Sequence, residues 1–265
     1  MDAKAAAQGI AVEYELFNGQ NDATTLNQIG TQIMADGYDA VIPIATLAAQ
    51  CMANAAAESE TPVIYAAISD PAAADLTDIS YVTGTSDYLD TGFVLDMMFA
   101  ADPDIQTVGL LYCSAEPNSQ YQVDVVQAEL EKLGYTCTQY PFSDTNDMAS
   151  VTQNAADHSE ILYVPTDNTV ANNAGIVDNI CHGKLPVFTG EEGICAGCGV
   201  ATLSISYYDL GVATGKMAVK ILTGESNVSE MPIEYAPQFT KKFNEAICAD
   251  LGLTPPDGYE VISAG

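Results

Sequence analysis

The sequence is poor in positive charge. Seven Lys and Arg residues stand against 36 Asp and Glu in 265 residues, for a formal net charge of −29 at pH 7. Such a surface repels phosphate backbones, so no nucleic-acid partner is expected, and it offers anionic lipid no basic patch. No apolar run approaches the ~20 residues that a membrane-spanning helix requires. Met1 is followed by DAKAAAQG, which has neither the basic segment nor the apolar core of a signal peptide. A soluble chain is expected. Histidine is scarce as well, with His158 and His182 the two imidazoles. Neither follows a strand, so a Ser–His or Cys–His pair built on Cys113 or Ser114 is not expected. No P-loop, no GxGxxG after a strand, no HExxH and no second CxxC occurs, and neither a cofactor nor a metal is expected.

Seven cysteines (Cys51, Cys113, Cys137, Cys181, Cys195, Cys198 and Cys248) are scattered, and only Cys195 and Cys198 are close together. An odd number without framework spacing does not describe a disulfide scaffold, and most should be buried and inert. The CAGC stretch allows a redox pair, a metal pair or, with more reason, a local loop disulfide.

What is present is an alternation of strand and helix from start to finish. Strands are expected at 10–16, 39–45, 61–68, 80–86, 107–113, 135–142, 161–165, 185–190 and 199–206, with a strand-like stretch at 233–239. Between them lie helical patterns, among them 22–37, capped by Asp22 and ended by Gly37, one running through Met97 and Met98, and a last one at 241–252. This order implies α/β architecture with parallel sheets covered on both faces. A single sheet would need about ten strands, so two sheets are expected. Breaks at 82–88, 188–199 and 223–232 suggest two doubly wound parallel-sheet lobes joined by a three-crossing hinge. The expected lobes are residues 1–86 with 192–226, and 87–191 with 227–265.

Polar residues recur just past the strands: Thr46, then Ser69 and Asp70, then Thr85, Ser86 and Asp87. Further along come Ser114, Glu116, Asn118 and Ser119, then Asp167 and Asn168, then Glu191 and Glu192. Open parallel sheets bind ligands at these ends, and helix N-termini there suit a carboxylate. Asp167 and the glutamates suit an ammonium group, so the implied ligand is a zwitterion such as an amino acid. Asp167 is the expected ammonium partner and Asn168 its neutral neighbour. The plainer alternatives are helix caps at Thr46 and Asn118, an Asx turn at Asp70, and one solvated glutamate at 191–192.

The stretches AVIPIATLAAQ, AAISDPAAADL, VTGTSDYLD, GLLYCSAEPNSQYQV, YVPTDNTV, PVFTGEEG and LSISYYDLGVATGKMAVKILTGE occur in order. Together they resemble the substrate-binding proteins of ABC importers, in the family that includes tryptophan- and tyrosine-binding members. The resemblance implies a type I periplasmic-binding-protein fold that closes like a hinge on an aromatic amino acid, with no catalytic residues. It implies an ABC permease as partner and a place at the extracellular face or in the periplasm, with membrane contact only through a lipid anchor that this chain lacks. By position, Thr46, Ser69, Asp70, Asn118, Ser119, Asp167 and Asn168 would hold the ligand backbone. Ser86 would line the cleft or hinge, and Tyr207 would stack on an aromatic ligand or pack. The departure is at the start, where the family's first strand is missing, and a central strand lost from a sheet leaves its neighbours without ladder partners. Incomplete binding, or rescue by another chain or by the tail DGYEVISAG, is expected. Two other readings remain open: a ligand-sensing domain of the same fold, and a cofactor-independent amino-acid racemase or isomerase.

Overall fold

A computed structural model describes residues 1–88, 104–236, 238–255 and 258–262. The chain begins with α1 (Asp2–Ala7), α2 (Ala23–Asp36), α3 (Thr46–Ala55), β1 (Val63–Ile68) and β2 (Val82–Ser86). Next come β3 (Thr107–Cys113), α4 (Pro117–Lys132), β4 (Thr136–Phe142), α5 (Thr145–His158), β5 (Ile161–Val164), α6 (Asn168–Cys181) and β6 (Val187–Thr189). The rest comprises α7 (Glu192–Cys198), β7 (Ala201–Ser204), α8 (Tyr207–Leu222), β8 (Glu234–Tyr235), β9 (Thr240–Phe243), α9 (Glu245–Leu251) and β10 (Glu260–Val261). The helix expected through Met97 and Met98 lies outside the described residues. Two compact units result, Met1–Tyr88 with Ser206–Pro237 and Leu89–Ile205 with Gln238–Gly265.

In the first unit, β1, β2 and β8 form a parallel sheet. Alternation along β1 covers both faces. Tyr65 packs with Leu26 and Ile33 of α2 and Met52 of α3, whereas its neighbour Ile64 packs with Met217 and Ala218 of α8. Helix α2 forms where expected because Asp22 accepts a hydrogen bond from the Thr25 N–H at 2.7 Å and Gly37 takes the left-handed cap, φ 74°. The expected strand at 39–45 is reduced to two parallel bridges, Val41 to Val63 and Ile44 to Ala66. Residues 10–16, also expected as a strand, join no ladder, and Tyr14 and Leu16 are exposed. Strand propensity alone does not fix a strand; it needs a neighbour to take its backbone groups. The C-terminal tail does not serve as that neighbour, since β10 pairs with β9 in the second unit.

The second unit carries a seven-stranded sheet in the order β10-β9-β7-β6-β5-β3-β4, parallel except where β9 runs against β7. Strand β3 divides two cores: Val108, Leu110 and Tyr112 pack with α4 and α9, and Leu111 and Cys113 with α5 and α6. This is doubly wound α/β packing with both sheet faces buried. Residues 192–205, expected in the first lobe, belong here through α7 and β7. The stretch 188–199 reads as a linker for its glycines, but Gly197 serves close packing: a Cβ there would lie 2.5 Å from the Ala174 Cβ. The segment 227–236, expected in the second lobe, goes the other way, into the first unit, where it supplies β8. Residues 241–243, expected as helix, are strand, because they pair with β7 and Asn244 caps α9 only after them.

Gly84 faces Tyr65 across β1 and β2, and a Cβ there would lie 2.1 Å from the Tyr65 carbonyl oxygen. Gly84→Ala is therefore expected to cost roughly 3 kcal/mol or more in urea unfolding. Gly211→Ala, where nothing lies within 4 Å on α8, is expected to be neutral or to gain up to ~1 kcal/mol.

Candidate functional site

The second unit's winding reverses between β3 and β5, which lie side by side although β4 separates them in sequence. Ligands of open α/β sheets bind beyond the strand ends at such a point. Here those ends are occupied by the protein itself. Glu116, 1% exposed, accepts four hydrogen bonds. They come from the backbone N–H groups of Asn168 (2.9 Å) and Thr169 (2.8 Å), the Asn168 side-chain amide (2.8 Å) and the Thr169 hydroxyl (2.7 Å). Asp167, also 1% exposed, accepts from Val170 N–H at 2.9 Å as the cap of α6, and from Cys113 N–H at 2.7 Å at the end of β3. Burial first, and the negative charge of Glu116 second, raise the Asp167 carboxyl to about 6.

Asp167, expected as an ammonium partner, meets backbone donors of the protein in this structure. Both of its oxygens hold backbone donors that a strand end and a helix start leave behind. Asn168 is likewise turned to Glu116. Asn118 and Ser119 donate to the Thr166 carbonyl at 2.8 and 3.4 Å, and Thr166 N–H donates to Gln122 at 2.8 Å. Glu191 caps α7 through the N–H groups of Gly193 and Ile194, and burial raises its carboxyl. Glu192 accepts from the Lys242 ammonium at 2.7 Å and from the Ser204 hydroxyl at 2.5 Å. The anion-binding start of α6 is closed by two carboxylates.

The first unit differs. Helix α3 begins after Ala45, whose φ of 72° and ψ of 160° belong to a region that glycine alone occupies without strain, and no side chain caps its first turn. Thr46 is buried at that turn. One strand over, Ser69 is buried past β1, and Asp70 accepts from the N–H groups of Ala72 and Ala73, both at 2.9 Å, in the Asx turn. At the end of β2, Ser86 accepts from Tyr88 N–H at 3.1 Å. Asp87, 3% exposed, accepts from the Tyr207 hydroxyl at 3.1 Å. Tyr88, Tyr207 and Tyr235 expose aromatic surface beside these ends. All seven basic residues of the chain are lysine, so no guanidinium is available to clamp a carboxylate. Asp87 is legible from its place one residue past β2, but nothing in the identity of Ala45 announces a positive φ.

The alternatives for catalysis find little geometry. Ser114 donates to the Phe142 carbonyl at 3.1 Å, and burial raises the Cys113 thiol. His158 bonds to the Asn154 carbonyl, and His182 bridges Asp178 and Asp250 at 2.9 Å each. Cys195 and Cys198 lie buried as free thiols in α7, not in a disulfide-bonded loop. Among the described residues no cluster of ligands suits a metal ion, and no helix is long and apolar enough to cross a membrane.

A model of the family described as "ABC transporter substrate binding protein" matches residues 2–263. The chain belongs to that family. This substrate-binding protein is 29% identical over 239 residues to a tyrosine-binding protein of Clostridioides difficile, a match covering 88% of this chain and 68% of the relative. Among solved structures it is similar to an ABC domain in complex with L-Trp from Streptococcus pneumonia, with TM-score 0.89 and 32% identity over 98% of this chain and 93% of that one. It is also similar to a ligand-free, open substrate-binding protein with adhesive properties from Clostridium difficile. There the TM-score is 0.70 and the identity 30%, over 100% and 92% of the two chains. The α/β fold with parallel sheets is that of type I periplasmic binding proteins, and the family points to binding, not catalysis.

The raised Asp167 carboxyl has a consequence for stability. A proton on it favours the folded state, so its stabilisation is full below the unfolded value and is lost as pH rises through about 6. Asp167→Asn removes this titration. In urea unfolding, the stability of the unaltered protein minus that of Asp167→Asn is expected to be ~1 kcal/mol larger at pH 5 than at pH 7. A difference that is flat or shrinks toward pH 5 contradicts this.

Proposed function

We propose that this substrate-binding protein is the solute receptor of an ABC importer and captures a small zwitterion, foremost an aromatic amino acid. The observation that carries this is the pairing of opposite preferences at the strand ends of the first unit. The uncapped start of α3 favours an anion, and the buried Asp87 carboxylate favours a cation. The segment before α3, β1 and β2 are successive neighbours, which puts the two groups roughly 10 Å apart, two strand spacings. That span suits an amino acid whose carboxylate meets the α3 N–H groups and whose ammonium meets Asp87. Thr46, Ser69 and Ser86 would supply neutral contacts, and Tyr88 and Tyr207 apolar surface for a ring. Asp70, Glu116, Asn118, Ser119, Asp167, Asn168 and Glu191 would shape the walls through the backbone they hold. The L-Trp complex and the tyrosine-binding relative support this ligand class.

Capture would proceed by hinge closure, the ligand favouring the state in which both units contact it. Delivery to a permease, at the extracellular face of the membrane or in the periplasm and through a lipid anchor, completes the reading; membership of the family supports it.

A thermal-shift series tests the ligand. L-tyrosine or L-tryptophan at about 100 times its Kd is expected to add ~2.7 kcal/mol, a rise of roughly 5–10 °C. The rise should vanish in Asp87→Asn. No rise with L-tyrosine, L-tryptophan or L-phenylalanine removes the ligand class, and an undiminished rise in the variant removes Asp87 from the site.

A further inference from the structure

His182 stands at the end of α6 with a carboxylate on each side. Its backbone N–H donates to the Asp178 carbonyl at 2.8 Å, which makes it the C-terminal cap of the helix. Nδ1 of the ring lies 2.9 Å from Asp178 Oδ1, one turn back on α6. Nε2 lies 2.9 Å from Asp250 Oδ2, in the last turn of α9. His182 and Asp250 are 68 positions apart, so this contact ties two elements and is no local turn. Helix α9 is seven residues long. Asn244 caps its start, Ile247 and Cys248 bury its middle, and Asp250 holds its end to α6.

A neutral imidazole carries one N–H and one lone pair. With a carboxylate oxygen at hydrogen-bond distance from both nitrogens, a neutral ring serves one partner and turns its lone pair on the other. The imidazolium donates to both. The C-terminus of α6 favours the same state, since a helix carries partial negative charge there. Hydrogen bonds to Asp178 first, and to Asp250 second, raise the His182 ring above its ordinary value. Lys184, beyond the turn, sets its ammonium 3.3 Å from the Ile180 carbonyl. Burial pushes the neighbouring Cys181 thiol up to about 11 and raises the Cys198 thiol of α7, so both stay neutral. His182 and Asp250 are exposed, and protons reach the ring without unfolding.

We propose that His182 is a proton-dependent latch: as an imidazolium it fastens the last turn of α9 to the end of α6, and as a neutral ring it releases one of the two carboxylates. Without the proton, two like charges face each other across the ring in a chain already at −29. The latch contributes fully below the unfolded histidine value of 6.5 and is lost as pH rises through the higher folded value. Mildly acidic surroundings therefore hold the end of α9 most firmly. Asp167, at the other end of α6, titrates in the same direction, so the test must separate the two.

The test combines proton NMR of the His182 ring with hydrogen exchange of the Gly252 and Leu253 amides, from about pH 5 to 9, on the full chain. Those amides donate to the Ala249 and Cys248 carbonyls and report the end of α9. The ring is expected to titrate above 6.5, and Asp250→Asn to lower its midpoint. Protection of the two amides, corrected for the intrinsic pH dependence of exchange, should fall about two- to fivefold as the ring loses its proton, the scale of an exposed ion pair. His182→Gln, which holds no charge, should show the lower protection throughout. A ring that titrates at or below 6.5, or a midpoint unmoved by Asp250→Asn, overturns the latch. So does a fall in protection that persists in His182→Gln, which would belong to another group such as Asp167.

Discussion

The arrangement of the second unit depends on two carboxylates that never reach solvent. Glu116 and Asp167 come from the loops after β3 and β5, and each is spent on the other strand's continuation. Glu116 holds the first turn of α6, and Asp167 holds the end of β3 while capping its own helix. A sheet that changes winding direction gathers strand ends and helix starts in one place, and each leaves backbone donors without partners. Two buried anions meet that demand and fix the separation of β3 and β5. The cost is the burial of negative charge, visible in the raised Asp167 carboxyl. Acceptance of six hydrogen bonds between the two groups offsets much of it.

The first unit solves the same problem less completely. Its α3 starts without a side-chain cap and behind a strained alanine, and Asp87 lies buried past β2. The second unit thus caps the helices after β5 and β6 with side chains, and the first leaves the start of α3 without one.

Much of the fold was legible in the sequence. Strand β3 matches its apolar run at both ends, because a buried parallel strand needs continuous apolar residues, and α2 begins and stops where Asp22 and Gly37 mark it. Residues 10–16 show the limit: alternation describes a willing strand, and pairing depends on residues far away. The stretch 188–199 misled for a different reason, since glycine serves tight helix contact as readily as a flexible joint. The site was legible as a set of strand ends but not as a division of labour. Asp167 and Asp87 look alike in sequence, and only the structure shows that Asp167 takes the N–H groups of Cys113 and Val170 while Asp87 takes the Tyr207 hydroxyl.

The open first turn of α3 has one further consequence. Its donors are main-chain N–H groups, which every residue but proline carries. Substitutions at Thr46, Leu47 or Ala48 can alter the surroundings without deleting a donor. An anion bound at that turn would therefore be held by groups that sequence drift scarcely touches and that alanine scanning would not detect. Change of preference among relatives would fall on side chains such as Tyr88 and Tyr207. The fold can thus keep one chemical handle fixed across a lineage while the rest of the ligand is renegotiated.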